Sequence, residues 1–216
     1  MRIAPEQYVV YLVTDEPSRY AGDFLENIDA AIAGGVTLVQ YRDTESCARV
    51  CYERCLRLRE LLAKRKIPLV INNDATLARA VNAAGVHVGQ NDLPPAAIRA
   101  IFGDALDIGF SVRNEAEARA VVPADVDALG IGPVFDARAT KSDASDAIGL
   151  ERLAAIVKSV PAKIATCAIG GITLENAPAL YATGVGGLAC VSSFSKSAVP
   201  ADVARAFSSA YKNNHQ

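Results

Sequence analysis

The chain has 216 residues, of which 51% are hydrophobic and 21% charged. That is ample material for one sizeable core and excludes intrinsic disorder by composition; at roughly 150 residues per domain it allows one large domain or two small ones. The 22 Lys and Arg against 24 Asp and Glu leave a net charge of −2, so no global basic field is available to hold nucleic acid or an anionic membrane.

In chain order, residues 8–14 read as a strand and 22–34 as a helix. The pairs 37–41 and 46–65, 68–71 and 75–83, 85–88 and 94–102, 107–112 and 114–121, 128–132 and 149–159, 163–169 and 173–183, and 187–192 and 199–212 follow in the same strand-then-helix order. Helix starts carry their usual signals. Asn114-Glu115-Ala116-Glu117 and Thr173-Leu174-Glu175-Asn176 offer N-caps with acids in the first turn, and Pro94-Pro95 opens another helix. Gly103 and Gly184 suit the closing position. Cys47, Cys51 and Cys55 recur at i, i+4 and i+8 on the second helix, which reads as small residues packing that helix inward rather than as a metal cluster. The opening MRIAPEQYVVYLVTD has no apolar h-region or cleavage site, and no stretch reaches the ~20 apolar residues of a spanning helix. With five cysteines, an odd number, the expectation is a reduced, cytoplasmic protein.

Eight strand–helix units in 216 residues, about 27 each, match the ~30 residues that a βαβ unit takes. Strict alternation with nearly continuous apolar strands predicts a parallel sheet, and eight repeats predict that it closes into a (β/α)8 TIM barrel forming one domain over residues 1–216. A doubly wound open sheet lacks the glycine fingerprint it needs after the first strand. The one long connection, 135–148, has the length of a lid or binding loop.

Chemistry in such barrels sits where strands end. After strand 2, alternation puts Leu38, Gln40 and Arg42 on one side, and a Gln and an Arg at the mouth suit an anion above them; Arg42 paired with Asp43 or Asp15 at the rim is the competing reading. Asn72-Asn73-Asp74 and Gly89-Gln90-Asn91-Asp92 end strands 3 and 4. These oxygen-rich clusters suit Mg²⁺, or else cap the helices they precede, most plainly in the case of Asp74. His87 reads as a satisfied wall residue. Ser111 can meet an ambivalent ligand group such as an exocyclic amine. Glycines 170 and 171 and the Val191-Ser192-Ser193 turn end strands 7 and 8, the fold's usual phosphate site.

Together these segments resemble the thiamine-phosphate synthase family. The matching pieces are YLVTD (11–15), VQYR (39–42), INND (71–74), GVHVGQND (85–92), IGFSV (108–112), LGIGPVF (129–135), TKSD (140–143), AIGGIT (168–173) and VSS (191–193), in the family's order. The resemblance implies a transferase that joins hydroxymethylpyrimidine diphosphate to a thiazole phosphate, releasing diphosphate, with Mg²⁺ as cofactor. It implies that Gln40, Arg42, Asn72, Ser111 and Lys141 hold the pyrimidine diphosphate, with Arg42, Ser111 and Lys141 as the catalytic groups. Asn73 and Asp92 take the metal positions. Thr140, Gly171, Val191 and Ser192 hold the thiazole phosphate, and 135–148 is the flap that carries Lys141. The expected partners are phosphorylated small molecules, with no nucleic acid or membrane, and with room for a homo-oligomer.

Three segments depart from the family's pattern. Its strand-2 motif usually runs Gln-x-Arg-Glu-Lys, where this chain has Asp43 and Thr44. Its first metal position is usually Asp, where this chain has the neutral Asn73. Asp136-Ala137-Arg138-Ala139 stands where Pro-Thr is common, making the flap one residue longer, and Arg138 is a candidate for the missing charge. The rival readings are a thiazole tautomerase, whose family has a His where this chain has Arg113, and a non-catalytic binder of thiazole phosphate.

Overall fold

The computed structural model describes residues 2–20, 22–136 and 146–214. Eight parallel strands close into a barrel in sequence order: β1 (Val10–Val13), β2 (Leu38–Tyr41), β3 (Leu69–Asn72), β4 (Gly85–Val88), β5 (Asp107–Val112), β6 (Ala128–Ile131), β7 (Ala165–Ile169) and β8 (Gly187–Cys190), which returns to pair with β1. Outside run α1 (Phe24–Gly34), α2 (Ala48–Arg65), α3 (Ala75–Ala80), α4 (Pro95–Phe102), α5 (Glu115–Ala120), α6 (Gly149–Ser159), α7 (Ala177–Tyr181), a short α8 (Ser192–Ser195) and α9 (Pro200–Asn214). This is the (β/α)8 TIM barrel expected from the alternation.

Period-two alternation divides the apolar residues into two layers. Leu12, Val39, Ile71, Val86, Ile108, Leu129 and Leu188 face the helices in the larger core. Tyr11, Val13, Leu38, Val70, Ala128, Cys167 and Ala189 fill the barrel interior. The floor of that interior is sealed by the N-terminal segment: a 3-10 turn, Pro5–Tyr8, brings Ile3 and Tyr8 under the barrel, and the Tyr8 and Tyr11 rings meet edge to face 5.9 Å apart. Arg2 pairs below with Asp104, Asp107 and Asp127, and the Ile3 N–H donates to the Asp107 carboxylate. A ligand can therefore enter only at the opposite, carboxyl end.

Local chemistry explains the boundaries that shifted. Residue 8 belongs to the floor turn rather than to the first strand. Strand 8 stops at Cys190, and the chain turns at once into α8, so Ser192 opens a helix rather than ending a strand. The helix expected from Thr173 begins only at Ala177: the Asn176 side chain accepts the Thr173 N–H and donates to the Gly171 carbonyl, each at 2.9 Å. Pro178 then has no N–H to extend the ladder backwards. On α2, Cys51 and Cys55 are buried as expected, but Cys47 is its exposed N-cap. Burial pushes the Cys55 thiol up to about 12, so it is chemically inert at neutral pH.

The loop after β2 is fixed by Asp43. Its carboxylate accepts the Ser46 N–H at 2.9 Å, the Glu45 N–H at 3.1 Å and the Tyr41 hydroxyl at 2.8 Å, and it pairs with Arg54. Burial alone would raise this carboxyl; the Ser46 N–H, then the Tyr41 hydroxyl, outweigh burial and bring it from 3.8 to about 2.

Two predictions follow from this packing. A Cβ on Gly34 would stand 2.1 Å from the Ala201 carbonyl oxygen, where α1 crosses α9. Gly34→Ala is therefore expected to cost about 2 kcal/mol by overpacking, read as a lower urea midpoint at unchanged slope. Because the folded Asp43 carboxyl lies below its unfolded value, its stabilisation is present above the ordinary carboxylate value and is lost as pH falls from 3.8 toward about 2. Asp43→Asn should be less stable than the parent at neutral pH and lose less of its remaining stability across that window, as read by acid titration of circular dichroism.

Candidate active site

The strand parity that fills the barrel with apolar side chains changes character at the rim. The last inward positions are Gln40 and Arg42 after Leu38, Asn72 after Val70, His87 after Gly85, Ser111 after Gly109, and Val191 after Ala189. With Asn73, Asp92, Gly171 and Ser192 from the following loops they line one cavity of about 450 Å³. Gln40, Arg42, Asn72, Asn73, Asp92, Ser111, Gly171, Val191 and Ser192 thus lie together as the sequence leads one to expect, while Asp74 and Ser193 are not among the lining residues. Thr140, Lys141 and Arg138 lie outside the described residues.

On the β1–β2 side, Gln40 is buried and its amide N–H donates to the Tyr11 hydroxyl at 2.7 Å, which leaves its carbonyl oxygen as the acceptor for a ligand. Arg42 pairs with neither Asp43 nor Asp15. Its partner is Glu16, 3.4 Å away and only 2% exposed. Glu16 also accepts the Thr44 hydroxyl at 2.7 Å and the Thr44 N–H at 3.2 Å. Asp15, also buried, accepts the Ser195 hydroxyl at 3.0 Å and ties the β1 loop to α8. The sequence reading missed both roles; the only available signal was a pair of adjacent acids directly after a strand.

On the β3–β4 side, Asp74 is a helix cap, accepting the Leu77 N–H at 2.7 Å, and is thus removed from the cation candidates. Asn73 adopts a left-handed φ of 63°, and its N–H donates to the His87 carbonyl at 2.8 Å. The Asp92 carboxylate caps no helix: it accepts the Gly89 N–H at 2.7 Å through Oδ2, and the residue lines the cavity. Asp92 and Asn73, both on the cavity, could offer a carboxylate and a carboxamide oxygen to Mg²⁺, which takes one or two carboxylates and fills its remaining positions with water and phosphate oxygens. Among the described residues no group of three or more His, Cys, Asp or Glu gathers into a closed metal site. Two such oxygen donors fit a hard cation whose other positions would be filled by water and ligand oxygens.

His87 is the satisfied wall residue expected, its Nε2 lying 2.9 Å from the Ser111 hydroxyl. Burial lowers its pKa to about 4, against the opposing pull of the Asp92 charge, so the ring is neutral at physiological pH. Gln90 donates to the Ser111 carbonyl at 2.6 Å and holds the end of β5.

The opposite wall is built from backbone. Gly170 and Gly171 have φ of 100° and 63°, the left-handed region that glycine enters without strain. Close packing requires glycine as well, since a Cβ at Gly171 would meet the Asp136 carbonyl oxygen at 2.8 Å. The Ser193 hydroxyl donates to the Ile172 carbonyl at 2.7 Å and joins the β7 loop to the start of α8. First-turn amides have no intrahelical acceptor, so the Val191–Ser192 turn offers N–H groups to an anion.

Known proteins share this sequence and this shape. The thiamine monophosphate synthase family profile matches residues 10–194. A thiamine-phosphate synthase of Azorhizobium caulinodans is 43% identical over 188 residues, 87% of each chain. That of Desulfitobacterium hafniense is 39% identical over 206 residues, 95% of this chain and 98% of its own. Among solved structures, a thiamine phosphate pyrophosphorylase from Pyrococcus furiosus superposes with a TM-score of 0.87 at 30% identity, covering 98% of this chain and 99% of that one. A structure described as native KDPGal shares the fold alone, at a TM-score of 0.72 and 18% identity. Motifs, barrel and rim thus agree, and the chain belongs to the thiamine monophosphate synthase family.

Proposed function

We propose that the whole chain acts as one catalytic unit that couples hydroxymethylpyrimidine diphosphate to a thiazole phosphate, forming thiamine phosphate and diphosphate in the cytoplasm. The observation that carries this reading is the gathering of Gln40, Arg42, Asn72, Asp92, Ser111, Gly171 and Ser192 around one cavity in a chain 43% identical to a named synthase. Gln40, Asn72 and Ser111 hold the pyrimidine edge. Arg42, steadied by Glu16, faces the diphosphate, and Lys141 adds a second cation from the flap. The backbone at Gly171 and Val191, with Ser192 and Thr140, holds the thiazole phosphate against the amides of the β7 and β8 loops.

The substitution needs no protein nucleophile. The bond from the pyrimidine methylene carbon to the ester oxygen breaks, and its electron pair leaves with diphosphate. The exocyclic amine donates density into the ring and spreads the resulting positive charge. The thiazole nitrogen lone pair then forms the new carbon–nitrogen bond. Arg42 and Lys141 act by stabilising negative charge as it builds on the leaving group. Asp92 and Asn73 would hold Mg²⁺, which when bound neutralises phosphate oxygens. The tautomerase reading is not favoured: the relatives named above carry the synthase name, and Arg113 stands where that isomerase has its His. A binder without turnover is separated by the direct test: purified protein given both compounds and Mg²⁺ must release diphosphate and form thiamine phosphate.

Asp92→Ala and Lys141→Ala are each expected to lower turnover at least about tenfold, ~1.4 kcal/mol of transition-state stabilisation; full activity in both variants refutes their roles. Asn73→Asp adds a carboxylate to the cation position and should lower the Mg²⁺ concentration giving half-maximal rate. An unchanged metal titration would show that residue 73 is not a ligand.

A further inference from the structure

His87 sits in the cavity wall without an assigned part in the coupling reaction. The β4–β5 register sets it beside Gly109, and the β5–β6 register sets Ser111 beside Gly130. Both glycines leave room that the imidazole fills. A Cβ on Gly109 would stand 2.4 Å from the ring Nδ1, and one on Gly130 would stand 2.9 Å from Cε1. Three adjacent strands thus give up two side chains to seat one ring. The ring's other nitrogen, Nε2, lies 2.9 Å from the Ser111 oxygen, and Gln90 fixes the backbone of Ser111 from the far side. Such a seat fixes the direction of a hydrogen bond as well as its length.

We propose that His87 is a positioning residue whose bare Nε2 accepts the Ser111 hydroxyl proton, so that Ser111 turns lone pairs toward the ligand and selects an amino over an oxo group on the pyrimidine. This rests on the reading of Ser111 as a contact to that ring. A hydroxyl whose proton is already committed can only accept. The aminopyrimidine offers an N–H at its exocyclic nitrogen, and an oxo analogue offers a second acceptor, which would face the Ser111 lone pairs unpaired. The polarity also suits the chemistry. As diphosphate leaves, positive charge spreads to the amine, its N–H becomes a stronger donor, and the relay from amine to Ser111 to His87 tightens with it. With the proton on Nε2 instead, Ser111 would direct its own hydrogen at the ligand amine.

The first test needs neither activity nor a variant. The chain has only two histidines, 87 and 215, so nitrogen NMR of protein labelled in histidine resolves each ring. The expected spectrum has the His87 proton on Nδ1 and Nε2 bare, and in Ser111→Ala the Nε2 signal moves while that of His215 stays. A proton on Nε2, or a signal indifferent to Ser111→Ala, overturns the proposal. The second test compares hydroxymethylpyrimidine diphosphate with its oxo analogue. His87→Leu should narrow the preference for the amino compound by about tenfold, the scale of one hydrogen bond, and leave KM for thiazole phosphate unchanged. An undiminished preference overturns it. If the parent protein couples neither compound, the proposed function fails. Calorimetric binding of the two pyrimidines then decides the selection, with equal affinity counting against it.

Discussion

A side chain that points into a closed eight-stranded barrel can be polar most cheaply at the last inward position before the rim, where the ligand or solvent can partner it. Deeper positions here are held by Tyr11, Leu38, Val70, Ala128, Cys167 and Ala189, and the floor beneath them is closed by Ile3 and Tyr8. The same alternation that packs those residues delivers Gln40, Asn72, His87 and Ser111 to one cavity. Site and core are consequences of a single periodicity. A one-residue slip in β2 would bury the Gln40 carboxamide against the helices and turn Val39 toward the ligand.

That coupling explains what could be read from the sequence. Strand parity is local, so alternation places Gln40 and Arg42 together at the mouth, the end of a strand places Ser111 there, and eight repeats imply closure. Glu16 and Asp15 could not be placed, because their partners lie elsewhere: Thr44 and Arg42 at 28 and 26 residues' distance, and Ser195 at 180. The late start of α7 was hidden because the Thr173–Asn176 segment carries good capping residues, and their hydrogen bonds close a turn ahead of the helix. Asp74 and Asp92 are already distinguishable in sequence, because Pro94-Pro95 sets the helix start after Asp92 and leaves Asp74 the plainer cap. The geometry agrees, with Asp74 on the Leu77 N–H and Asp92 turned back to Gly89.

The departures from the family pattern also acquire physical content. Where a lysine is usual, Thr44 is short enough for its hydroxyl to rest on the buried Glu16, so a carboxylate beside Arg42 is satisfied by neutral donors as well as by the guanidinium. Asp43 is turned away from the cavity and spends its charge on Arg54 and its own loop. On the proposed function, the diphosphate end of the site carries less fixed positive charge than the family motif implies, and the burden would fall on Arg42 and Lys141.

The floor of the barrel carries a consequence for assembly. Arg2 reaches Asp107 and Asp127, partners 105 and 125 residues further along the chain. The segment around Arg2 thus cannot reach these partners until the chain has been made as far as the residues just before the sixth strand. Because loop closure over such separations is slow, the floor of the barrel is expected to close late in folding.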